Sequence, residues 1–132
     1  DYMNAISCEL FSSFDTGRKP SEDAEPERFY HGFVLGLMVD LAGQYRITSN
    51  RESGLGRYDV VMEPLDRQGQ AVVMEFKVFN PIKEKDLHET VENALQQIED
   101  KKYDTELMAR GVAKENIRHY GFAFEGKTIL IG

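Results

Sequence analysis

The chain has 132 residues, a length that fits one domain with a usable core. Sixteen basic against 23 acidic residues give a net charge of −7, which excludes a generic basic nucleic-acid binder that neutralises phosphates over a broad face. The single cysteine, Cys8, excludes an intrachain disulfide framework and a cysteine-based zinc site, and no apolar run approaches the roughly 20 residues of a membrane span. A reducing cytoplasm suits this cysteine usage, so the expected location is cytoplasmic, with no membrane partner. The chain opens at Asp1 with neither an initiator Met nor a signal peptide, and the expectation is an excised domain of a longer protein.

The first predicted element is a short helix over residues 1–14, where Met3, Ile6, Leu10 and Phe14 recur at helical spacing. Residues 15–25 have no apolar periodicity and read as a polar loop. The expected division is therefore 1–25, a helix and loop, and 26–132, the main domain. A helix follows from about Pro26, a residue suited to a first turn because its missing N–H has no partner there. Its apolar face runs through Phe29, Phe33, Leu37 and Leu41, and Gly43 is its expected stop. Three strands are predicted next, Tyr45–Thr48, Arg57–Glu63 and Ala71–Phe79. The connections around 50–56 and 66–70 are short enough for antiparallel hairpins. A long helix is predicted from about Lys85 to Lys102, with Asp86 as N-cap and Glu89 completing a variant capping box. A shorter helix over Asp104–Ala109 ends at Gly111, and strands Ile117–Phe124 and Thr128–Ile131 close the chain. This order implies an α/β fold, a mixed sheet flanked by helices.

The chemistry concentrates on two strands. Glu75 and Lys77 are two apart on the third strand and project from the same face, while Phe76 points to the other. That strand is otherwise almost wholly apolar and reads as central, so an acid and a lysine buried there are costly without a purpose. Asp59 opens the second strand after Gly54-Leu55-Gly56-Arg57-Tyr58, and a hairpin of the two strands brings it to the same neighbourhood. Two carboxylates beside a lysine suit Mg²⁺ (or Mn²⁺), an oxygen-seeking ion that keeps waters and takes one or two protein carboxylates. Such an ion can hold a scissile phosphate and activate water for phosphodiester hydrolysis.

Several stretches together carry a resemblance. They are Glu27-Arg28-Phe29-Tyr30-His31, the run from Asn50 to Asp59, Val73-Met74-Glu75-Phe76-Lys77, Ala94-Leu95-Gln96-Gln97-Ile98 followed by Lys102-Tyr103, and Tyr120-Gly121-Phe122-Ala123-Phe124. In order and spacing the chain resembles the PD-(D/E)xK nuclease superfamily, with its restriction-endonuclease-like fold. In particular it resembles a branch commonly found C-terminal to an AAA-ATPase-like domain in bacterial proteins. The resemblance implies a core in the order α-β-β-β-α-β, to which this chain adds a terminal strand. It implies that Asp59 and Glu75 are metal ligands, that Lys77 orients or activates water, and that Glu27 is an accessory acid from the first helix. It matches Gln97 and Tyr103 to a helix-borne Gln and Tyr of related nucleases. Tyr58 stands where the family motif has Pro, a position that shapes the turn and supplies no ligand.

Other residues keep two readings. Glu27 either serves as the accessory acid or complements the helix dipole. His31 either hydrogen-bonds near the site or is structural. Gln97 either faces the active end of the sheet or is the polar flank of a half-buried helix. Arg57 either meets phosphate or pairs with Glu52. Arg51, Lys101 and Lys102 are further candidate phosphate contacts, and Tyr103 either is structural or, with Arg57 and Lys101, contacts the substrate. Two functions compete: a metal-dependent nuclease acting on DNA or RNA, and a non-catalytic interaction or regulatory module of an ATPase-linked protein that keeps the nuclease fold.

Overall fold

The computed structural model describes residues 25–52, 57–66 and 68–132. The helix expected over 1–14, the loop expected after it up to residue 24, and the glycines at 54 and 56 lie outside the described residues. Over the described residues the elements are α1 (Glu25–Leu41), β1 (Tyr45–Glu52), β2 (Arg57–Pro64), β3 (Ala71–Val78), α2 (Leu87–Asp100), α3 (Tyr103–Ala109), a 3₁₀ turn (Lys114–Asn116), β4 (Ile117–Glu125) and β5 (Thr128–Ile131). No helix among them is long and apolar enough to cross a membrane.

The strands form one sheet in the order β1-β2-β3-β4-β5. The pairs β1–β2, β2–β3 and β4–β5 are antiparallel, and β3–β4 is parallel. A parallel pair cannot be closed by a tight turn, so the chain crosses over through α2 and α3 between β3 and β4. The α/β class and the mixed sheet flanked by helices are as expected, with β3 at the centre.

The two faces of β3 sort its side chains. Met74 and Phe76 pack toward α1 in a core with Phe29, Tyr30, Phe33, Leu37, Tyr58, Val60 and Phe122. Phe76 stacks on Phe122 at 4.4 Å between ring centroids and 19° between planes, a contact that adds to their burial. Ala71 and Val73 face the other way, onto Ile98, Leu107 and Val112 beneath the crossover helices. Glu75 and Lys77 continue that second row, by the alternation of a strand.

Two backbone features position the crossover. A Cβ on Gly121 of β4 would come within 2.9 Å of the Val91 carbonyl, so glycine there lets α2 lie close on the sheet. Between α2 and α3, Lys102 takes a left-handed conformation at φ 55°. The expected helix to Lys102 therefore stops earlier, and the chain turns sharply with Lys101 on one side and Tyr103 on the other.

Candidate metal centre

Asp59 and Glu75 are direct partners in the β2–β3 register. Both are buried, at 1% and 0% exposure, on the face covered by α2 and α3. Opposing carboxylates at one place in a low-dielectric setting repel and are poorly solvated, so a cation between them is stabilising. Lys101 supplies one. Its ammonium lies 3.1 Å from Asp59 Oδ2 and 3.3 Å from each carboxylate oxygen of Glu75. The Tyr103 hydroxyl donates to the same Asp59 Oδ2 at 2.6 Å. Asp59 Oδ1 is buried with no hydrogen-bond partner among the described residues. In these contacts two carboxylates face one ammonium, one positive charge short of neutral.

Lys77 shares the face of Asp59 and Glu75, opposite Arg57 in the register. Its ammonium does not contact the acid pair; it forms a buried ion pair with Glu84. The carboxylate of Glu84 also accepts the Asn80 N–H at 2.8 Å, the Thr90 hydroxyl at 3.1 Å and the Asn93 amide at 2.6 Å. Burial alone would push the Glu84 carboxyl up; Lys77 and these three donors together outweigh it and hold the pKa down to about 2. Lys77 is thereby a fixed positive charge one strand step beyond Glu75.

Helix α2 joins the two clusters. Thr90, Asn93, Gln97 and Lys101 follow one another at spacings of three, four and four, a single line along the helix. Thr90 and Asn93 touch Glu84, and Lys101 touches the acid pair. Gln97, half-buried, falls between them on that line, and its carbonyl accepts the Lys101 N–H at 3.0 Å.

Glu27 is placed elsewhere. Helix α1 packs on the opposite face of the sheet, and there Glu27 pairs with Arg51 at 2.9 Å and lies 3.7 Å from His31. The Arg51 guanidinium sits 5.8 Å from the centre of the Tyr58 ring. The structure thus brings Asp59, Glu75, Lys101 and Tyr103 into contact, keeps Lys77 and Gln97 alongside, and holds Glu27 with Arg51 instead. The Arg57 side chain, half-buried, makes no hydrogen bond or ion pair among the described residues, and the side chain of its alternative partner Glu52 lies outside them. Helix α1 reaches the centre through Tyr30, whose hydroxyl bonds Ser49 and donates to the Asp59 backbone carbonyl at 3.2 Å. Tyr58 stacks on Tyr30 at 4.4 Å, fixing the backbone beside Asp59 from the opposite face. Burial pushes the Tyr30 hydroxyl above its usual range, so it stays a protonated donor.

The donor set fits a hard divalent cation. Its carboxylate oxygens are buried, one Asp59 oxygen has no hydrogen-bond donor, and an ammonium already marks the position as one where positive charge is stable. Among the described residues no group of three or more His, Cys, Asp or Glu side chains gathers, so a closed structural zinc site is not the pattern here. Glu84 and Asn93 escape sequence reasoning altogether. The polar line from Thr90 to Lys101, on a helix whose neighbouring stripe is apolar, is the signal that would have pointed to them.

Comparison with curated proteins gives no match, and comparison with solved structures gives none. The model of the PD-(D/E)XK nuclease superfamily matches residues 25–132. That span takes in the mixed sheet, the two acids facing each other on adjacent strands, and the lysine two residues after the second. The chain belongs to the PD-(D/E)XK nuclease superfamily.

Proposed function

We propose that this domain hydrolyses phosphodiester bonds in DNA or RNA, with Mg²⁺ or Mn²⁺ held by Asp59 and Glu75. The observation that carries the reading is the buried, directly opposed acid pair, already sharing one cation and retaining a carboxylate oxygen without a donor. The ion, when bound, would supply the charge that polarises the phosphate and makes water a nucleophile at neutral pH. The chain's own residues do the remaining work. Tyr103 and the Tyr30 contact fix the carboxylate and backbone of Asp59. Lys77, clamped by Glu84, presents a preorganised positive charge to the phosphate as negative charge develops on it. Gln97 lines the helix side of the centre. Arg57, Lys101 and Lys102 are the cations available to a substrate backbone, a local set suited to an otherwise acidic chain. Glu27 acts with Arg51 at the margin, as an accessory acid only if a bound substrate draws it in.

A second reading has one observation in its favour. Both lysines of the centre are already engaged, Lys101 on the acids and Lys77 on Glu84, as befits a fold retained for interaction. In that reading, residues 26–132 are a regulatory module of a longer, cytoplasmic bacterial protein carrying an AAA-ATPase-like domain. One assay separates the two. The chain, and the longer protein containing it, are incubated with single- and double-stranded DNA and RNA in Mg²⁺ or Mn²⁺. Cleavage that requires the metal and disappears in Asp59→Ala supports the nuclease. No cleavage by either form on any of the four substrates leaves the interaction module.

A further inference from the structure

Asp59 and Glu75 offer four carboxylate oxygens, and Lys101 lies against three of them. The ammonium thus engages both acids at once. The oxygen left over is Asp59 Oδ1. A divalent cation that takes both carboxylates must therefore use oxygens that the ammonium now holds. The two cations cannot share them, because like charges that close in a buried pocket repel strongly. The acids cannot move aside, since both are on paired strands in the middle of the sheet and their side chains are 2% and 0% exposed. Lys101 can. It is the C-cap residue of α2, its side chain is 18% exposed, and it precedes the left-handed Lys102. Its long stem can swing the ammonium to water without disturbing the helix.

We infer that Lys101 is the internal counter-ion of the acid pair and that a divalent cation enters the centre by displacing its ammonium. Metal binding is then an exchange of cations. The inference rests on the metal-centre reading above and adds to it what sets the affinity: the weaker the hold of residue 101 on the acids, the tighter the ion. The exchange also frees a positive charge at the rim of the site as the ion settles, where it can meet a phosphate.

The test is a calorimetric titration of the intact chain with Mn²⁺ at neutral pH, with no substrate present. Lys101→Met keeps most of the stem and removes the competitor. It should bind Mn²⁺ about tenfold more tightly or better, the order expected when one charge-assisted hydrogen bond no longer has to be given up. Lys101→Arg retains a cation and should bind no more tightly than the original. Asp59→Asn should abolish binding in each background, which locates the ion. Unchanged or weaker binding by Lys101→Met, while the original chain binds Mn²⁺ and loses it in Asp59→Asn, overturns the counter-ion role and leaves the metal centre standing. Tighter binding by both Lys101→Met and Lys101→Arg overturns it as well. If the original and every Lys101 variant bind no Mn²⁺, the metal centre falls and the exchange with it.

Discussion

Replacing Glu84 by Gln tests how the lysine of the centre is held. The carboxylate is 4% exposed, carries the Lys77 ion pair and accepts from Asn80, Thr90 and Asn93. Its pKa falls from 4.5 to about 2 on folding. At about 1.36 kcal/mol per unit, that fall links roughly 3 kcal/mol of stability to its ionised form. Because the folded pKa is the lower one, this stability is present above about pH 4.5 and is lost as pH falls through about 2. Glu84→Gln keeps the shape and removes the charge, leaving Lys77 buried without its counter-ion. Breaking a buried pair in this way costs about 3–5 kcal/mol, of the same order as the linkage. Urea unfolding at a series of pH values, followed by circular dichroism, should show the variant about 3 kcal/mol less stable than the original at pH 7. The gap should close as pH drops from about 5 toward 2. A gap that stays constant over that range would mean that Glu84 contributes hydrogen-bonded shape and not charge, and the argument for a clamped Lys77 would fail.

Three further outcomes are expected. Mg²⁺ or Mn²⁺ should raise the melting temperature, as a ligand of the folded state does, and Asp59→Ala should abolish the rise while remaining folded; an undiminished rise in differential scanning fluorimetry would put the ion elsewhere. Lys77→Met should lower metal-dependent cleavage by about 100- to 1000-fold with Mn²⁺ affinity largely kept, because Lys77 pairs with Glu84 and not with the acid pair; cleavage at the original rate would remove Lys77 from the chemistry. Gly121→Ala should destabilise by about 1–3 kcal/mol in urea, since its Cβ would meet the Val91 carbonyl at 2.9 Å, and an unchanged midpoint would show that α2 does not press on β4 there.

Period-two alternation and hairpin spacing were enough to place Asp59, Glu75 and Lys77 on one sheet face, and the observed register puts the two acids directly opposite. Strand β5 has the predicted bounds, and β2, β3 and β4 differ from prediction by one residue at one end. Asp86 is the N-cap as read: its carboxylate accepts the Glu89 N–H at 2.9 Å, while Glu89 returns to the Lys85 N–H and not to that of Asp86. The sequence pattern predicts a first strand that stops at Thr48, whereas β1 runs to Glu52. Ser49, Asn50, Arg51 and Glu52 show no apolar alternation because β1 is an edge strand, held by its ladder to β2 more than by side-chain burial. The contacts of Lys101 and Glu84 could not be read from spacing. They depend on where the crossover lands on the sheet, and a one-dimensional pattern does not carry that docking. Lys101 was legible as a cation available to phosphate; its seat between the acids was not.

The parallel junction of β3 with β4 also dictates when the charges of the centre meet. Asp59 and Glu75 belong to one hairpin, whose closure is local and fast. Lys101 and Tyr103 contact Asp59 across sequence separations of 42 and 44 residues and arrive only when the crossover docks. Non-local closure of this kind is the slow part of assembly. For that interval the growing sheet carries two facing carboxylates with no ammonium between them, so their repulsion weighs on the folding step. Divalent cations present during refolding would relieve it, and their effect should be seen as faster folding as well as slower unfolding. The counter-charge that arrives last in the chain thus makes the route to the native sheet, and not only its endpoint, sensitive to ions in solution.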